Sequence, residues 1–88
     1  MEVTLRWNAL KSEWLRITRG ASFSDLTNRG KLLGTRRHPK RVGQWMMLFE
    51  YRGYVWLVPY VKDRKGKFLK TLYPSRKYTK LYRRGAMP

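Results

Sequence analysis

Residues 44–61 read QWMMLFEYRGYVWLVPYV, and this stretch decides the fold. Gln44 to Tyr51 and Tyr54 to Val61 are two apolar runs separated by Arg52-Gly53, and a two-residue connection of that kind predicts a β-hairpin in which Gly53 takes a positive φ. The turn fixes the register. Pairing Tyr51 with Tyr54 sets Glu50 opposite Val55, Phe49 opposite Trp56, Leu48 opposite Leu57 and Met47 opposite Val58. Alternation then sorts the side chains into two faces. One carries Met46, Leu48, Val55, Leu57, Pro59 and Val61 with Glu50; the other carries Trp45, Met47, Phe49, Tyr51, Tyr54, Trp56, Val58 and Tyr60. A sheet apolar on both sides needs cover on both sides. Two N-terminal helices suffice for one face, so a C-terminal helix, a partner, or both must cover the other. The rings of Trp45, Phe49, Tyr51 and Trp56 are accordingly expected as partner-binding surface, the alternative being ordinary core.

Downstream, KFLKTLYPSRKYTKLY (67–82) reads as a strand over Phe68 to Tyr73 stopped by Pro74, which has no amide proton for a ladder. A helix follows, capped by Ser75. Lys67, Lys70, Arg76, Lys77 and Lys80 alternate there with Tyr73, Tyr78 and Tyr82. Cations interleaved with phenols suit a polyanion that carries aromatic bases.

Upstream, Glu2 to Trp7 alternates as a short strand, and Asn8 caps a helix whose apolar positions Leu10, Trp14 and Ile17 lie four and three apart, ending at Gly20. Ser22-Phe23-Ser24-Asp25 has capping-box spacing and opens a second helix ended by Gly30. Lys31 to Thr35 predicts a brief strand, and Arg36-Arg37-His38-Pro39-Lys40-Arg41 a basic loop. The expected architecture is therefore a single α+β domain over residues 1–88 in the order β-α-α-β-β-β-β-α, its central sheet antiparallel.

The charge balance narrows the function. Twenty-one Lys and Arg against five Asp and Glu leave +16 on 88 residues, a density relieved by an anionic partner such as nucleic acid or an acidic protein. With 42% hydrophobic and 15% aromatic residues the chain is a folded domain and not a basic tail. It has no cysteine and one histidine, so no Cys-ligated metal site or disulfide framework is expected, and no cofactor. There is no run of 18 apolar residues, so neither a membrane span nor a leader is expected, and the location is expected to be cytoplasmic. Nothing in the spacing of Ser75, His38 and Asp63 supports a triad.

What remains is a set of cations able to stabilise charge on a phosphate when a neighbouring 2′-hydroxyl of RNA attacks it, chemistry that needs no metal and no protein nucleophile. Lys70, a charged residue in the expected strand, and His38, the single histidine and a candidate acid or base, join the catalytic candidates on this ground. Arg36, Arg37, Lys77, Lys80 and Arg83 are the expected RNA-binding residues.

The run Trp7-Asn8-x-x-Lys11 with Leu15, then Arg19-Gly20-x-Ser22-Phe23-x-Asp25, then the hairpin, then Pro74-Ser75-Arg76-Lys77-x-Thr79-x-x-Tyr82 resembles the BrnT family of type II toxins along nearly the whole chain. The family pattern has His-Gly where this chain has Arg19-Gly20, and a glutamate where it has Lys80-Leu81. The resemblance implies a compact RelE-like ribonuclease that arrests translation by cutting RNA and is silenced, in an oligomeric complex, by a small acidic antitoxin. It implies roles for Lys11 and Arg76, with Thr79 and Tyr82 matching the closing motif, so that Arg76, Lys70, Lys11, Tyr82 and His38 form the expected catalytic set. The alternative is a nucleic-acid-binding protein without catalysis, ribosome-associated or phage-encoded.

Overall fold

In the structure, a computed structural model that describes residues 4–86, the order is β1 (Leu5–Arg6), α1 (Ala9–Arg19), α2 (Phe23–Arg29), β2 (Lys31–Arg37), β3 (Gln44–Tyr51), β4 (Tyr54–Asp63), β5 (Gly66–Leu69), β6 (Tyr73–Pro74) and α3 (Arg76–Arg83). The expected strand residues Glu2 and Val3, and the closing Met87 and Pro88, lie outside the described residues. The β3–β4 hairpin has the register its turn dictates, Tyr51 on Tyr54 through Met47 on Val58. Arg52 and Gly53 both take positive φ, 53° and 78°, the pair of signs a two-residue primed turn needs.

The sheet runs β1-β5-β4-β3-β2, with β6 on β4. It is mixed where an antiparallel sheet was expected, because β1 pairs with β5 in parallel. That pair approaches closely at Gly66, where a Cβ would lie 2.3 Å from the Thr4 carbonyl oxygen.

Each face of the hairpin has its own helical cover. On the aromatic face, Met47, Phe49, Tyr51, Trp56, Val58 and Tyr60 pack with Leu15, Ala21, Phe23 and Leu26 from α1, α2 and their junction. On the aliphatic face, Met46, Leu48, Val55 and Leu57 pack with Leu33, Tyr73 and the α3 residues Tyr78 and Tyr82. This cover takes up most of the expected partner surface, leaving Tyr51 and Trp56 at the wall of one pocket. Phe49, Tyr51 and Trp56 are 5, 6 and 8% exposed, because the N-terminal helices close over the rings and the C-terminal helix takes the other side. Trp45, half-buried at the edge of the same cluster, is flanked by Arg37 and Lys62, whose cationic groups lie 5.1 and 4.2 Å from its ring centre.

The helix caps follow from local chemistry. Asn8 accepts from the Lys11 amide and Gly20 turns left-handed at φ 90°. Ser22 and Asp25 complete a reciprocal capping box. Asp25 is held below the usual carboxylate range chiefly by the backbone N–H of Ser22. Its stabilising contribution is fully present above the unfolded carboxylate pKa of about 4 and is lost as pH falls through the lower folded value. Ser22→Ala is expected to cost about 1 kcal/mol, a fall in melting temperature of about 5 °C. Asp25→Asn should flatten the loss of stability below about pH 4 in the same unfolding experiment.

The helix α1 departs from expectation in which face it buries. Ser12 and Leu15 are the buried residues, with the Ser12 hydroxyl accepting from the Phe23 amide at 3.1 Å. Leu10, Trp14 and Ile17 face solvent. None of the helices among the described residues is long and apolar enough to cross a membrane.

Candidate nucleic-acid interface

The loop between β2 and β3 is shaped by its own side chain. Pro39 sets the direction of the chain, and the His38 Nδ1 accepts from the amides of Lys40 and Arg41, both at 3.1 Å. The His38 amide donates to the Gln44 carbonyl at 2.9 Å and closes the loop. An Nδ1 that accepts two N–H groups leaves the proton of a neutral imidazole on Nε2. His38 is therefore a positioned donor, and of the acid or base role expected of it this suits the acid, since its Nδ1 lone pair is engaged inside the loop. Arg36 and Arg37, expected in the loop, extend β2 instead, opposite Met46 and Trp45.

Lys70 reaches the same place from the other end of the chain. It was expected within a strand, but β5 stops at Leu69. The cause lies in the partner strand: the Lys70 amide donates to the Pro59 carbonyl at 2.8 Å, and Pro59 has no N–H to return the bond. The chain leaves the ladder there, buries Leu72, and rejoins at Tyr73 opposite Leu57.

His38, Lys40, Arg41, Gln44, Pro59, Lys70, Thr71 and Tyr73 line one cleft of about 340 Å³. A second hollow of about 420 Å³ runs along the loop from Arg37 to Trp45 and shares His38, Lys40, Arg41 and Gln44 with the first. No carboxylate lines either. Three of the acids are engaged elsewhere: Asp63 bonds Arg6 and Glu13 bonds Arg16, each held below the usual carboxylate range first by that hydrogen bond, and Asp25 closes the α2 cap. The cleft thus has three cations, a fixed imidazole donor and a phenol within one concave surface, a combination that binds phosphates and offers a ring for a base.

The other expected residues separate from this cleft. Lys11 is exposed on α1, whose packing places it on the opposite side of the sheet from α3. Tyr82 is half-buried, packed against the aliphatic cluster. Arg76 is exposed at the first position of α3 and does not line the cleft. Lys77 and Lys80 are exposed on the same helix. Arg83 donates to the Gly53 carbonyl at 3.1 Å, tying the end of α3 to the hairpin turn, and Arg36 lies with its guanidinium 6.0 Å from the Tyr78 ring centre. Sequence reasoning missed Lys40, Arg41, Gln44, Thr71 and Tyr73 as site residues, although the basic loop and the cation-phenol alternation of 67–82 carried the signal for three of them, Lys40, Arg41 and Tyr73. Among the described residues no group of three or more His, Asp or Glu is placed to hold a metal ion. The chain matches no family model, no curated protein and no solved structure.

Proposed function

We propose that this protein binds single-stranded RNA in the cleft between the β2–β3 loop and the end of β5. The observation that carries the reading is the convergence of His38, Lys40, Arg41 and Lys70 on one concave surface that no carboxylate lines. A flexible single strand bends into such a hollow with its phosphates on the cations and a base against Tyr73, which a stiff duplex does not.

A second reading adds cleavage: a toxin endoribonuclease of the kind the sequence resembles, acting in the cytoplasm and held silent by an acidic antitoxin. The observation favouring it is that the His38 donor and the ammonium groups of Lys40 and Lys70 line one cleft. In that reaction the 2′-oxygen attacks the adjacent phosphorus while its proton passes to water. The bond from phosphorus to the 5′-oxygen breaks, and that oxygen takes a proton from the Lys70 ammonium, which water restores. The His38 Nε2–H and the Arg41 guanidinium hold the charge that grows on the phosphoryl oxygens. The products are a 2′,3′-cyclic phosphate and a 5′-hydroxyl.

One experiment separates these readings. End-labelled single-stranded RNA is incubated with the protein in EDTA at several salt concentrations, and both retention and new ends are measured. Salt-dependent retention with intact RNA leaves binding alone; new cyclic-phosphate ends that survive EDTA and vanish in Lys70→Ala establish cleavage; absence of salt-dependent retention overturns both. In the same assay Arg76→Ala should lower the slope of log affinity against log salt by no more than about 0.7, the share of a single phosphate contact on a single strand, and leave any cleavage rate unchanged.

A further inference from the structure

We infer that the outer face of α1, with the aromatic pocket at its C-terminal end, is a docking surface for an acidic amphipathic helix of another protein. At 3.6 residues per turn, Leu10, Trp14 and Ile17 fall within about 60° of one another, and Ser12 and Leu15 fall on the opposite side. The opposite side is the buried one, so the larger apolar stripe points outward: Leu10, Trp14 and Ile17 are 84, 52 and 70% exposed. Scattered exposed apolar residues need no explanation, but three aligned on one helix face form the i, i+4, i+7 pattern of a helix-binding surface.

The stripe does not end at the helix. The Arg19 guanidinium lies 5.9 Å from the Trp14 ring centre and is anchored to the Leu72 carbonyl at 2.6 Å. It also forms the wall of a pocket of about 300 Å³ completed by Tyr51, Tyr54, Trp56, Pro74 and Arg52. Apolar residues at helical spacing would cover the stripe, and a carboxylate at the end of the same helix would meet Arg19 and Arg52.

Charge selects among occupants. A second copy of this chain would bring another +16 against the first, whereas an acidic helix is drawn to the rim formed by Lys11, Arg19 and Arg52 and gains on-rate from the net field. The inference does not depend on the RNA reading.

The test selects helical peptides of random sequence, displayed on phage, against the intact protein, and measures the winners as synthetic peptides against wild type and against the double variant Leu10→Ser/Ile17→Ser. Both substituted residues are exposed, so the variant should melt within about 2 °C of wild type. The expected winners carry apolar residues three or four apart with Asp and Glu between them, bind at least about tenfold more weakly to the variant, and change Trp fluorescence in wild type but not in Trp14→Phe. Winners that are neutral or basic, or that bind wild type and variant equally, overturn the inference. Two further measurements guard it: association with anionic lipid vesicles that the double variant abolishes would assign the stripe to a membrane surface, and concentration-dependent dimerisation that it abolishes would assign the stripe to self-association. Either result overturns the acidic-helix partner.

Discussion

Thr79→Val is expected to destabilise the domain by about 2 kcal/mol although it conserves shape, because the hydroxyl it removes serves as acceptor and donor in the interior. Thr79 is 2% exposed. Its Oγ1 accepts from the Val55 amide at 2.9 Å and donates to the Ser75 carbonyl at 2.6 Å. The Ser75 carbonyl keeps a second donor, the Thr79 amide at 3.1 Å, so the loss falls on the Val55 N–H. An amide buried without a partner costs about 1–3 kcal/mol, and the expected loss of about 2 kcal/mol is, for a domain of this length, a fall of about 8–16 °C in melting temperature. Thr79→Ser keeps both bonds and should fall much less. Urea and thermal unfolding of the two variants check this; equal losses would show that the methyl group, and not the hydroxyl, is what the site requires. The helix α3 is fastened at three points, by Ser75 capping the Tyr78 amide, by Thr79, and by Arg83 on the hairpin turn. Ser75 and Thr79 of the closing motif are thus residues of the fold, and an activity assay on Thr79→Val must be corrected for unfolded protein.

Much of this framework is legible in the sequence, and the reasons are local. The hairpin register follows from two residues, Arg52 and Gly53, and a side-chain period that permits no slip. The caps at Asn8, Ser22 and Ser75 follow from short polar side chains that reach amides two or three residues on. What could not be read depends on residues far apart in the chain. The β5 strand ends early because Pro59 sits opposite Lys70, and nothing within 66–73 announces it. The parallel pairing of β1 with β5 joins residues about sixty positions apart. The orientation of α1 misleads for a different reason: Leu10, Trp14 and Ile17 outweigh Ser12 and Leu15 in apolar content, so periodicity points at the wrong face. The small buried face works because the Ser12 hydroxyl receives the Phe23 amide and brings α1 and α2 close. Of the candidate site, the basic loop was visible as a loop, but its meeting with Lys70 required the length of β3 and β4 between them.

Replacing Lys40, Arg41 and Lys70 together by alanine is expected to weaken single-stranded RNA binding by about 100-fold at 0.1 M salt. In the counterion-release picture each phosphate contact to a single strand contributes about 0.7 to the slope of log affinity against log salt. Three contacts therefore contribute about 2, and a slope of 2 carried from 1 M, where the release of counterions gains little, to 0.1 M is a factor of about 10². The net charge falls from +16 to +13, since three cations are removed. A general loss of positive charge would weaken binding whichever cations were taken, so the decisive control removes the same number elsewhere: Lys31, Arg64 and Lys65 are exposed, line neither basic cavity, and bring the charge to the same +13. If the cleft holds the strand, the control keeps most of the wild-type affinity and slope, because distant surface charges are screened within about 8–10 Å at these salt concentrations. Affinity titrated at four salt concentrations for both triple variants gives slope and intercept separately. Equal losses in the two variants would make the attraction a property of the whole charged surface, and the cleft would then hold no RNA in particular. A loss confined to the cleft variant, with the slope lower by about 2 and the intercept at 1 M nearly unchanged, is the signature of three phosphates seated on Lys40, Arg41 and Lys70.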